Sequence, residues 1–189
     1  PEQVAFFIRQ AAIEWCKRTS CWVEALAGQT VVDQELYTLT GPDNAAPFKL
    51  NWLKLVTDVG ETKADCVDAS VLSEAKATND ACLRAALVGS LVELTPAPAS
   101  VADIEAEAVM VPTEDAATLP GMLRDHIRPI AKGALAEILA IKAADWYDPG
   151  LSAAHHSVFS MTAQAVAIQT SRARSKAKIT GRRRHNRFL

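Results

Sequence analysis

The hydrophobic period of this chain changes twice, and that pattern limits the folds open to it. The first twenty residues repeat their apolar positions at helical spacing. The middle, from about 22 to 112, is rich in β-branched residues and cut by turn signals. Helical spacing returns from about 119. Helices that flank a run of strands, rather than alternating with them, describe an α+β chain. At 189 residues with 49% hydrophobic content, one compact domain with an appendage is expected. The reading is one domain over 1–171: an N-terminal helix at 2–19, a β-rich middle at 22–112 and an antiparallel helical hairpin at 119–174. An extended basic arm at 172–189 follows it.

In the first helix Val4, Phe7, Ile8, Ala11, Ala12 and Trp15 form one stripe, with Glu2 at the start and Lys17 and Arg18 at the end to suit the dipole. Trp15 and Trp22 are expected in the core. Ala27-Gly28-Gln29 reads as a turn, and 30–40 as extended chain. Gly41-Pro42-Asp43-Asn44 marks a second turn. Phe48 to Val56 reads as a strand ended by Asp58-Val59-Gly60. A short helix over 71–76 with Ser70 as its cap fits the ambiguous stretch 65–80. Cys82–Val88 and Leu91–Leu94 flank Gly89-Ser90 as a hairpin. Between 101 and 111, Asp103, Glu105 and Glu107 alternate with Ile104, Ala106, Ala108 and Met110, which predicts a half-exposed strand.

The second helical section carries Leu123, Ile127, Ile130, Ala134, Ile138 and Ile141 on one stripe. Pro129 interrupts it, so a kink or a junction of two helices is expected there. Gly133 on the packed side would admit a close backbone. Asp148 and Pro149 give a cap and a first turn for a helix over about 149–174, whose apolar face is Leu151, Ala154, Val158, Met161, Ala165 and Ile168.

Chemical motifs are scarce. The four cysteines form no C-x-x-C pair and read as reduced, partly buried thiols. His155 and His156 are neighbours that point about 100° apart on a helix, so they do not share a metal easily. The alternating acids at 103, 105 and 107 read as solvated strand surface rather than a carboxylate pair for catalysis. No phosphate loop, dinucleotide fingerprint or nucleophile elbow occurs. No cofactor, no metal and no enzymatic activity are expected. No signal peptide or membrane span is expected either, and the protein reads as made in a cytoplasm.

Charge is laid out unevenly. Of 20 basic residues against 22 acidic ones, eight lie in the last eighteen positions: Arg172, Arg174, Lys176, Lys178, Arg182, Arg183, Arg184 and Arg187. That leaves twelve basic against 22 acidic residues in 1–171, a net of −10. Such an arm is a solvated tail, a nucleic-acid contact or an anchor for a protein groove. The terminal Phe188 and Leu189 favour the groove, since apolar anchors beside arginine suit protein interfaces. Like charge and Gly181 predict little helix in the free arm.

Together these segments resemble the head-to-tail adaptor proteins of tailed bacteriophages, also called connector, head-completion or tail-tube gatekeeper proteins. The segments that carry the resemblance are 11–22 (AAIEWCKRTSCW), 91–96 (LVELTP), 130–139 (IAKGALAEIL), 146–149 (WYDP) and 182–189 (RRRHNRFL), with the last helix. The resemblance implies a structural virion protein of the phage neck, in a ring of twelve copies. Its partners would be the portal protein above and a tail nozzle or tail-tube protein below. The arm would dock between portal subunits, and genomic DNA would pass through an acidic lumen without sequence-specific contact. The competing reading is a small non-specific nucleic-acid-binding protein that uses the same arm.

Overall fold

The computed structural model describes residues 2–78 and 81–185, with side chains as far as 175. In chain order the elements are α1 (Glu2–Thr19), β1 (Val23–Gln29), β2 (Leu36–Tyr37), β3 (Ala45–Thr57), β4 (Gly60–Cys66) and α2 (Ala69–Thr78). Then follow β5 (Arg84–Val88), β6 (Leu91–Thr95), β7 (Asp103–Pro112), a 3-10 helix (Gly121–His126), α3 (Ile127–Leu139) and α4 (Pro149–His185). The class is α+β. The chain divides into two compact units, a sheet unit over 22–115 and a helical unit made of 1–21 with 116–189.

The sheet unit is one curled seven-stranded sheet in the order β1-β7-β3-β4-β5-β6-β2. Its two edges approach through reciprocal backbone bonds between Ala27 and Thr40, at 3.3 and 2.7 Å. Ala27-Gly28-Gln29, expected as a turn, is instead the end of β1, paired with Glu105, Ile104 and Asp103. Of the expected extended stretch 30–40, only Leu36–Tyr37 and the Thr40 bridge pair. The β5–β6 hairpin turns at Gly89, whose φ of 66° suits a residue without a Cβ.

The stretch around 61–82 resists sequence reading for a topological reason. β4 is polar and mostly exposed, so it lacks an apolar signature. It forms because β3 turns back on it at Asp58-Val59, pairing Leu53 with Ala64 and Thr57 with Gly60. β4 then pairs with β5 in parallel, Asp65 beside Arg84 and Cys66 beside Ala85. Parallel neighbours need a crossover, and α2 supplies it, burying Leu72 and Ala75. The helix starts at Ala69, earlier than the sequence suggests. Ser70 therefore lies inside it, and the Leu72 N–H bonds the Asp68 carbonyl at 3.1 Å.

In β3 the apolar positions break strict alternation, since Leu50, Leu53 and Leu55 are all buried. A register shift between Leu50 and Trp52 resolves this: Leu50 faces Ala108 while Leu53 faces Ala106. The inserted residue returns both leucines to one side. Opposite them, β7 alternates as expected at its start, with Asp103 and Glu105 out, Ile104 and Ala106 in and Glu107 half-buried, and from Ala108 it is buried through to Pro112. Small Ala106 and Ala108 leave room for the large leucines across the pair.

In the helical unit, the 3-10 helix ends where α3 begins, two residues before Pro129. Two helices therefore meet at the junction that the proline announced, and its missing N–H falls in the first turn, where it costs no helical bond. Asp148 caps α4 as expected, its Oδ1 accepting the Leu151 N–H at 2.9 Å. α4 does not stop near 174. It runs 37 residues to His185, about 55 Å at 1.5 Å per residue. Beyond Pro149 the chain has no proline. Its Arg, Lys and Ala residues are good helix formers, and one Gly at 181 costs only about 1 kcal/mol.

Candidate assembly surface

α4 carries two faces that differ by one residue in phase. The face it buries within its own unit runs through Ser152, His155, Phe159, Ala163, Val166 and Thr170, with Phe159 and Ala163 the deeply buried members. The expected apolar stripe sits one position earlier, which is about 100° around the helix. It is solvent-exposed throughout: Leu151 at 45%, Val158 at 48%, Met161 at 69% and Ile168 at 45%, with Ala154 and Ala165 also exposed. The shared apolar face is thus not the face that α4 buries in its unit. The face α4 shows is more apolar than the face it hides. Val4, Phe6 and Ile8 on the first half of α1 are exposed as well. Only the second half of the α1 stripe, Ala11, Ala12 and Trp15, enters the core.

What turns α4 is the aromatic cluster around Phe159. Its ring lies 5.7 Å from the fully buried Trp15 ring, which also tilts against His126 at 5.2 Å. The Arg18 guanidinium sits 5.7 Å from the centre of the same Phe159 ring. Gly133 on α3 admits that ring: a Cβ there would stand 2.8 Å from Phe159 Cδ2 and 3.2 Å from the Ala11 Cβ. Gly133 thus serves a side chain rather than the close backbone expected. Phe159 is the lone aromatic of α4, and its place opposite a glycine was the signal for the buried face. The Ser152 hydroxyl adds a bond to the Ala136 carbonyl at 2.8 Å.

The residues of the basic end are placed unequally. Arg172 is exposed on α4. Arg174 is half-buried and donates from Nη2 to the Ser20 carbonyl at 2.6 Å. Its guanidinium is therefore engaged inside its own unit. Lys176, Lys178, Arg182, Arg183 and Arg184 fall on the helical backbone of α4, in the part described without side chains. Arg187, Phe188 and Leu189 lie outside the described residues. The basic charges to 184 are thus strung along a helix rather than an extended chain.

The remaining candidates have structural partners. Glu105 and Glu61 hold Lys54 between them at 3.0 and 2.9 Å. This ladder pushes the lysine above its ordinary pKa and Glu61 below its own, the Lys54–Glu61 hydrogen bond being the main cause of both. Glu107 accepts from Asn51 at 2.8 Å, and Asp103 from Gln29 at 3.3 Å. His155 is half-buried on the α4 core face, and His156 is exposed beside a groove of about 420 Å³ that Phe6, Gln10, Gly133 and Phe159 also line. Among the described residues, no three His, Cys, Asp or Glu side chains gather where a metal ion could be held. No helix there is long and apolar enough to cross a membrane. Trp22 is buried as expected and donates from Nε1 to Glu24 at 2.9 Å. Cys16 is buried, Cys21 and Cys66 are half-buried, and Cys82 is exposed rather than partly buried.

No protein-family model matches this sequence, and no curated protein matches it.

Proposed function

We propose that this chain is a structural assembly protein, and that it acts in the neck of a tailed phage as a ring joining portal to tail. The observation that carries the reading is the exposed stripe of α4. Four large apolar side chains along five turns of one helix form a patch that soluble monomers rarely leave open, and assembly is the physical remedy. In this reading α3 and α4 form an antiparallel hairpin, and a neighbouring copy covers Leu151, Val158, Met161 and Ile168. The basic end of α4, with residues 186–189, docks on the portal. DNA passes through a lumen lined by the acidic body, which binds it weakly.

Two measurements test this. Sedimentation of the wild-type protein beside a Val158→Glu, Met161→Glu variant should show loss of association with an unchanged thermal transition, because both positions are exposed in the single chain. A pull-down with a portal ring should fail when residues 181–189 are deleted. Two results would sink the reading: a wild-type chain that stays monomeric with and without the ring, or a truncated chain that docks normally. The nucleic-acid alternative predicts instead useful DNA affinity at physiological salt, falling steeply as salt rises.

A further inference from the structure

α1 ends in a turn that folds its own chain back on itself. Ser20 has a positive φ of 50°, and its N–H bonds the Cys16 carbonyl at 2.8 Å. That is the left-handed helix cap, in which the residue after the turn lies over the residue five positions earlier. Here both are cysteines, Cys21 over Cys16, and the two side chains lie close enough to interact. The turn is held from three sides. The Thr19 hydroxyl donates to the Trp15 carbonyl at 2.8 Å and accepts the Cys21 N–H at 3.3 Å. Arg174 of α4 ties down the Ser20 carbonyl at 2.6 Å. His126 of the 3-10 helix stands near Cys21, and Lys17 and Arg18 occupy the last turn of α1.

The two thiols differ in access. Cys16 is fully buried, while Cys21 is half-exposed. We propose that Cys16 and Cys21 form a reversible dithiol–disulfide couple, with Cys21 as the attacking thiol, Cys16 as the resolving thiol and a low-molecular-weight disulfide as the oxidant. The Cys21 thiolate attacks one sulfur of the small disulfide, giving a mixed disulfide and releasing one thiolate. Cys16 passes its proton to that thiolate or to water, attacks the Cys21 sulfur and expels the second small thiol. Two protein thiols lose two electrons, and one small disulfide gains them. The division of roles agrees with the electrostatics. The neighbouring Cys16 thiol, with Thr19 and the nearby His126, brings Cys21 down to about 6. The same pairing, with burial, holds Cys16 protonated. Nucleophilic attack needs the thiolate.

The couple sits one residue before the sheet unit begins at Trp22. This inference does not rest on the assembly reading and is tested on the full chain in isolation. The reduced protein is incubated with glutathione disulfide, quenched in acid with its free thiols blocked, and digested with trypsin. Cleavage after Arg9, Lys17, Arg18 and Lys49 separates the two cysteines, so the bond appears as peptide 10–17 joined to peptide 19–49. That linked pair should form and disappear on reduction. In Cys16→Ser, with no resolving thiol, a stable glutathione adduct should accumulate on Cys21. A lasting adduct on Cys21 in the wild-type protein, or no reaction at either residue, would overturn the couple. Absence of the adduct in Cys16→Ser would overturn Cys21 as the attacker. Should Cys16→Ser fail to fold, the wild-type peptide map decides alone.

Discussion

Gly133→Ala sets two known effects against each other, and the outcome depends on whether Phe159 is pinned. In a solvent-facing helix the change would stabilise by about 1 kcal/mol, because glycine is the poorer helix former. Here the new methyl would lie 2.8 and 2.9 Å from two ring atoms of Phe159 and 3.2 Å from Ala11. Carbon atoms do not tolerate the shorter two distances, so something must shift. The ring is not free to swing, with Trp15 on one side and Arg18 above it. Overpacking of this kind costs about 1–3 kcal/mol. The expected net effect is destabilisation of roughly 0–2 kcal/mol after the helix gain is subtracted. The assay is urea unfolding followed by tryptophan fluorescence, repeated in a Phe159→Leu background. There the clash is relieved, and Gly133→Ala should become neutral or stabilising, a coupling of about 1–3 kcal/mol between contacting residues. If Gly133→Ala stabilises the wild-type chain by the full helix gain, the ring is not held as described. The account of why α4 turns its polar face inward then fails with it.

Thr30→Val should destabilise by about 1–3 kcal/mol in urea unfolding, because the buried Thr30 hydroxyl accepts the Ala102 N–H at 2.7 Å and valine leaves that donor unpaired. An unchanged midpoint would mean that water replaces the hydroxyl. Trp15→Ala should cost about 3–5 kcal/mol, the usual range for deleting a fully buried aromatic ring. Trp15→Phe should cost far less, since the Nε1–H of Trp15 has no hydrogen-bond partner among the described residues; equal losses would point to an unseen partner. The Cys16–Cys21 pair predicts a pH signature under reducing conditions. With Cys21 at about 6 in the fold and an ordinary thiol near 8.5, the folded chain binds fewer protons than the unfolded one between those values, so stability rises with pH there. Above about 8.5 the raised Cys16 keeps its proton in the fold only, and stability falls. A difference in unfolding free energy between wild type and Cys16→Ser, Cys21→Ser that stays flat from pH 6 to 10 would contradict this.

Sequence alone determined the elements whose signals are local. α1, the turn at Gly41–Asn44, the hairpin at Gly89, the alternating start of β7 and the Asp148 cap each follow from spacing or turn chemistry within a few residues. Those signals act before any distant part of the chain is in place. The tertiary structure decided everything that depends on a distant neighbour. β4 exists because β3 offers it an edge, and α2 because a parallel pair must be bridged. The shift in β3 answers the alanines of β7, some fifty positions away. In α4 the periodicity stated correctly that Leu151, Val158, Met161 and Ile168 share a face, but not which face the fold would cover. Phe159 had a glycine-lined recess on α3 and a tryptophan on α1 to enter, and one residue of helical phase then carried the apolar stripe out into water. Period reports where the apolar side chains point relative to one another; only packing decides which of them find a partner within the chain.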